Sequence, residues 1–138
     1  MRALARMSRV LERATSELSL AHYRVLSAVA GGDERASRVA ERLELGRPTV
    51  SAAVEALCRA GYLDRTVESG DQRALSLQVT AAGRTVLDRV EGEMVRRVDE
   101  LVARTPDAAQ VRQALAWMGQ ALDQRAAERR LGRPEPVR

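Results

Sequence analysis

A chain of 138 residues is long enough to bury one real core and too short for two comfortable domains, so a single structural unit is expected over 1–138. Hydrophobic residues make up 45% and charged residues 30%, which is globular composition, and with Tyr23, Tyr62 and Trp117 the sole aromatics the core must be packed by Leu, Val and Ala. All 23 basic residues are Arg and the net charge is +4, a modest bias towards a polyanion, while one Cys and one His exclude an intramolecular disulfide and a zinc site of ordinary ligand count, so no metal or cofactor is expected.

Arg or Glu interrupts the apolar segments every few residues, so no run nears the ~20 residues that span a bilayer. No signal-peptide pattern opens the chain, and a cytoplasmic protein without a membrane partner is expected. From Met1 to Arg13, Leu4, Met7 and Leu11 recur at helical spacing among four arginines and predict a short amphipathic helix. Ser19 reads as the N-cap of a second helix, with Leu18 and Tyr23 placed as a hydrophobic staple, and Gly31-Gly32 ends it. Asp33 reads as the cap of a third helix carrying Ala36, Val39, Ala40 and Leu43. A fourth opens at Arg47-Pro48-Thr49, with Pro in the first turn, and buries Val50, Val54 and Leu57. Two short helices joined by a tight turn predict a helix-turn-helix.

The period changes at Tyr62. Leu63, Arg65 and Val67 alternate with polar residues, Glu68-Ser69-Gly70-Asp71 reads as a turn, and Leu75, Leu77 and Val79 alternate again, which predicts a β-hairpin, a wing, directly after the helix-turn-helix. Thr80 caps a long helix with Leu87, Val90, Met94, Val98 and Leu101 in one stripe, and Val111, Leu115, Met118 and Leu122 mark the last helix. The expected class is mainly α with a small hairpin: a winged helix-turn-helix lobe over about 19–80, long dimerisation helices over about 1–14 and 80–131, and a tail of about 132–138 too polar and Pro-rich to fold. A helix pair projecting from such a lobe has too little of its own chain to cover both long stripes. Leu4, Leu11, Leu87, Val90, Met94, Val98, Leu115, Met118 and Leu122 are therefore expected against a second copy in a homodimer.

Arranged in this order, the chain resembles the MarR family of winged-helix transcriptional regulators over roughly its whole length. The resemblance is carried by Leu43-Glu44-Leu45-Gly46-Arg47-Pro48-Thr49-Val50-Ser51, by Leu57 with Arg59-Ala60-Gly61-Tyr62-Leu63-Asp64-Arg65, and by Asp71-Gln72-Arg73-Ala74 followed by Val79-Thr80-Ala81-Ala82-Gly83. It implies a regulator, chiefly a repressor, that binds a pseudo-palindromic operator in double-stranded DNA as a homodimer. It also implies that Asp71 braces Arg73 at the minor groove and that a small aromatic or phenolic effector binds near the dimer helices, His22 being the residue assigned to that pocket. Ala52 and Ala56 stand where many relatives carry arginines.

In physical terms the start of the fourth helix offers free N–H groups and a positive dipole to phosphate, with Arg47, Thr49 and Ser51 beside the bases. Ser37 and Arg38 on the preceding helix add phosphate contacts. Cys58 reads as a half-buried, inert thiol. An enzyme is disfavoured by inventory: there is one His, one Cys, no glycine-rich phosphate loop after a strand and no carboxylate pair outside ordinary helix surfaces. The alternative is a winged-helix protein-interaction module without DNA binding, which Ala52 and Ala56 favour.

Overall fold

A computed structural model of the chain describes residues 2–15, 17–67 and 75–131. Over these residues the order is α1 (Arg2–Glu12), α2 (Leu20–Ala30), α3 (Ala36–Leu43), α4 (Arg47–Arg59), β1 (Leu63–Val67), β2 (Leu75–Val79), α5 (Ala81–Val102) and α6 (Ala108–Leu131). This is the mainly α chain with one hairpin that the periodicity predicts. It divides within α5 into two compact units, Met1–Val98 and Asp99–Arg138.

In the first unit the local signals act where they were read. The Ser19 side chain accepts from the His22 N–H at 3.2 Å, satisfying a first-turn donor of α2, and Leu18 and Tyr23 on either side of the cap both join the core. Asp33, expected to cap α3, does not. The N-cap is Arg35, whose side chain makes no capping hydrogen bond, and Asp33 is buried with its Oδ2 2.9 Å from Arg42 Nη1. Two residues separate Asp33 from the first residue of α3, so its carboxylate misses the first-turn N–H groups. A buried carboxylate left alone is costly, and the guanidinium from the last turn of α3 offsets that cost.

The α3–α4 turn is made by Glu44, whose φ of 54° is left-handed, and by the Leu45 N–H, which returns to the Ala40 carbonyl at 3.0 Å. A non-glycine residue held there stores roughly 1–2 kcal/mol, about what glycine loses elsewhere in chain entropy. Glu44→Gly is thus expected to leave stability within ~0.5 kcal/mol, and Glu44→Val, β-branched, to lower it by ~1–2 kcal/mol in urea unfolding.

Helices α2, α3 and α4 pack on one another, and the hairpin closes over α2 and α4. Its strands are antiparallel, with Leu63 opposite Val79, Arg65 opposite Leu77 and Val67 opposite Leu75. Leu63 and Leu77 enter the core beside Leu26, Val39, Val54 and Leu57. The hairpin is also tied to the loop before α3: the Leu77 N–H donates to the Glu34 carbonyl at 2.6 Å, and Ser76 Oγ donates to Glu34 Oε2 at 3.4 Å.

The start of α5 is joined to the exit of α4 through Thr80. Its hydroxyl donates to the Gly61 carbonyl at 2.7 Å and accepts from the Gly83 N–H at 3.0 Å, while its own N–H donates to the Tyr62 carbonyl at 3.1 Å. Gly61 turns the chain there with a φ of +76°. From this joint α5 lays Val86, Leu87, Val90 and Met94 onto the core of its own chain. The placement of Leu87, Val90 and Met94 against a second copy is therefore corrected: with the two-stranded hairpin and three short helices leaving an apolar face open, the first half of α5 is needed to cover it. Leu11 is likewise half-buried against this core, Val98 is half-buried and Leu4 is exposed.

In the second unit Asp107 Oδ1 accepts from the Gln110 N–H at 2.9 Å and caps α6, and Arg112 Nε pairs with Asp99 Oδ1 at 3.0 Å. Beyond this point α6 is apolar without being buried: Leu115, Met118 and Leu122 line one stripe, 41%, 50% and 62% exposed. Residues 132–138, expected as an unfolded tail, lie outside the described residues. Among the described residues no helix is long and apolar enough to cross a membrane.

Candidate nucleic-acid interface

The face that α4 presents outward follows from which residues it buries. Val50, Ala53, Val54 and Leu57 point into the core, so at 100° per residue the opposite side carries Pro48, Ser51, Ala52, Glu55 and Arg59, with Thr49 and Arg47 at its edges. Arg47, Thr49, Ser51 and Ala52 are all exposed. The N-cap is Gly46, with no side-chain bond to the first turn, so the leading N–H groups of α4 remain open to an incoming acceptor. Pro48 in that turn removes one donor and fixes the helical φ. A helix start of this composition can offer a phosphate its amides and dipole, with a guanidinium and two small hydroxyls at its side.

Ser37 and Arg38, in the first turn of α3, are exposed as well. The structure therefore brings five of the seven residues predicted for DNA contact to the surface of one helix-turn-helix: Ser37, Arg38, Arg47, Thr49 and Ser51. The other two, Asp71 and Arg73, lie outside the described residues.

Sequence reading passed over two features of this surface. The first is the Glu55–Arg59 ion pair, 3.1 Å long and exposed at both ends, which sits at the centre of the outward face of α4. Its signal was an i, i+4 pair of opposite charge; such an exposed pair adds only ~0.3–0.5 kcal/mol to the helix and leaves a carboxylate beside Ala52. The second is Arg65 on β1, exposed on the hairpin.

Apart from the interface, His22 is half-buried and its described hydrogen bond is the backbone donation to Ser19. A shallow pocket of about 140 Å³ lies nearby between α2 and α3, lined by Tyr23, Arg24, Ser27, Ala28, Arg42 and Leu43. His22 does not line it. Burial pushes the Tyr23 phenol above its ordinary pKa, reinforced by the charge of Glu91 and by the hydrogen bond to its Oε1 at 3.2 Å, while a hydrogen bond with Ser27 pulls the other way. Cys58 is half-buried, as read.

The MarR family model matches residues 16–74, which take in α2, α3, α4 and β1. No curated protein matches the chain. Among solved structures, the PcaV transcriptional regulator from Streptomyces coelicolor, in complex with its natural ligand, is 25% identical, with 89% of this chain and 88% of that one covered at a TM-score of 0.67. The transcriptional regulator MOSR of M. tuberculosis, in complex with DNA, is also 25% identical over 89% of this chain and 92% of that one, at a TM-score of 0.62. CouR from Rhodococcus jostii RHA1, bound to p-coumaroyl-CoA, shares the fold at a TM-score of 0.70 and 20% identity, over 91% and 87% of the two chains.

Proposed function

We propose that this chain is a winged-helix transcriptional regulator of the MarR type, a cytoplasmic repressor that binds a pseudo-palindromic operator as a homodimer. The observation that carries this reading is the uncapped, outward start of α4, with Arg47, Thr49 and Ser51 exposed ahead of a hairpin anchored to the same core. A solved relative of 25% identity is held on DNA. The homodimer rests on Leu115, Met118 and Leu122, which one chain leaves in water, together with exposed Leu4. Twofold symmetry then places the half-sites about one helical turn, ~10 bp, apart. A small aromatic or phenolic effector relieves repression by favouring a spacing of the recognition helices that does not fit the operator; relatives solved with ligands support that part.

Gel shift on the DNA flanking the gene, followed by titrations at several salt concentrations, tests the reading. Arg73→Ala is expected to weaken operator binding by ~1–3 kcal/mol and to flatten the salt slope by about one unit if it meets phosphate. Asp71→Ala, which removes the brace and leaves the charge, does less. Arg47→Ala flattens the slope similarly, whereas Ser51→Ala relaxes discrimination among operators and hardly moves the slope, because a hydroxyl releases no counterion. With Ala52 and Ala56 in place of arginines, wing and phosphate contacts carry a larger share of the affinity. A second reading, a winged-helix module that binds protein instead of DNA, draws on Ala52 and on Glu55 at the centre of the α4 face. No shift on any flanking DNA would favour it.

A further inference from the structure

We propose that the arginine-bearing side of α1 is a second DNA contact, a sequence-independent cradle for the phosphates of one strand. The residues come in register. Arg2, Arg6 and Arg9 are spaced four and three apart, so at 100° per residue they share an arc of about 60°. Arg13 follows four residues later, and its N–H still closes on the Arg9 carbonyl at 3.3 Å, which carries the stripe past the last residue of the helix. All four residues are exposed, and among the described residues none of them is in an ion pair. Glu12, the one carboxylate of α1, lies off the stripe, with its Oε1 3.5 Å from Ser8 Oγ.

The charge of the chain is concentrated here. Residues 2–13 hold four arginines and one carboxylate, a net +3 out of the chain's +4. The winged lobe, 19–80, holds eight arginines and eight carboxylates and is neutral overall. A lobe without net charge gains little from the long-range attraction and counterion release that supply non-specific affinity for a duplex, and α1 makes up the difference. The dimensions agree: Arg2 to Arg13 covers about 16 Å at 1.5 Å per residue, and one strand offers a phosphate every ~3.4 Å, so four guanidiniums meet roughly five phosphates.

What α1 presents decides between polyanions. A membrane-bound amphipathic helix inserts its apolar face, but here Leu11 packs on the core and Met7 and Val10 are half-buried, so most of that face is already covered. A protein partner would need an apolar or aromatic centre, and the exposed neighbours of the stripe are only Ala3, Ala5 and Glu12. A duplex asks for nothing more than charge in a row. That the polyanion is DNA rests on the reading above, but the stripe uses no residue of the helix-turn-helix. Backbone held there adds affinity and no discrimination, whichever bases α4 reads.

The test titrates the full chain against a fluorescent duplex of arbitrary sequence at several salt concentrations, read by anisotropy. Each neutralised phosphate contributes about 0.9 to the slope of log affinity on log salt, so Arg2→Gln/Arg6→Gln/Arg9→Gln is expected to flatten the slope by about 2.7 for each chain bound. Between about 50 and 200 mM salt the wild-type protein then loses roughly 40-fold more affinity than the variant. Arg2→Lys/Arg6→Lys/Arg9→Lys keeps the charge and is expected to keep the slope. Arg96→Gln/Arg104→Gln/Arg125→Gln removes the same charge from exposed positions off α1 and is expected to stay within about one unit of wild type. An unchanged slope in the α1 glutamine variant, an equal change in the α5 and α6 control, a slope the lysines do not keep, or no duplex binding at all would each overturn the proposal. So would tighter retention on vesicles of phosphatidylcholine and phosphatidylserine than on the duplex. Failure of the operator reading shows separately, as a lack of preference among flanking DNAs, and leaves these slopes standing.

Discussion

Gly83→Ala is expected to destabilise the protein by roughly 3 kcal/mol or more, among the largest losses any single methyl group can cause here. A Cβ at this position falls well inside contact distance of the Tyr62 carbonyl oxygen, and lies 2.9 Å from Val79 Cγ1 and 3.0 Å from the Tyr62 carbonyl carbon. Two of those three neighbours are backbone and cannot rotate away. The Thr80 joint would have to open as well, since the Gly83 and Thr80 N–H groups and the Thr80 hydroxyl all engage this corner. Gly92, also within α5, is the control: nothing lies within 4 Å of its Cβ position, and Gly92→Ala should gain about 0.5–1 kcal/mol from helix propensity. Urea unfolding of both variants decides the matter, a lower midpoint at unchanged slope being expected for Gly83→Ala. If the two glycines respond alike, α5 is not wedged against the exit of α4.

The second large effect concerns assembly. In Leu115→Glu/Leu122→Glu the two carboxylates replace leucines that are 41% and 62% exposed in one chain, so the helical circular dichroism should be retained. In a twofold dimer each substitution counts twice, and burying a leucine is worth ~1.5–3 kcal/mol, so the association free energy falls by enough to leave monomers at micromolar concentration. Light scattering reads the mass directly. Operator affinity should drop by about 100-fold or more, because one lobe alone meets a single half-site. A variant that still weighs as a dimer would place the interface elsewhere on the chain.

How much of this was legible beforehand depends on the range of each interaction. The helix starts at Ser19 and Thr80, the Pro48 first turn, the hairpin and the order of all the elements rest on contacts within about four residues, or on a period of 2 or 3.6, and those are written into the sequence. The exposed start of α4 follows for the same reason, since Val50, Val54 and Leu57 dictate which side faces out. Asp33 could not be assigned this way: its partner Arg42 is set by how α3 docks, and a cap and a buried ion pair look identical in a string of letters. Glu34 gripping Ser76 across 42 residues and Tyr23 meeting Glu91 across 68 are likewise products of packing. The apolar stripes make the point most fully. Periodicity established that Leu87, Val90, Met94, Leu115, Met118 and Leu122 form one-sided faces, but a face demands only that water be excluded and is indifferent to what excludes it. Only the tertiary structure decided that the α5 residues are spent on the chain's own core, where three short helices and a hairpin left surface to cover, and that the α6 residues stay exposed in the single chain.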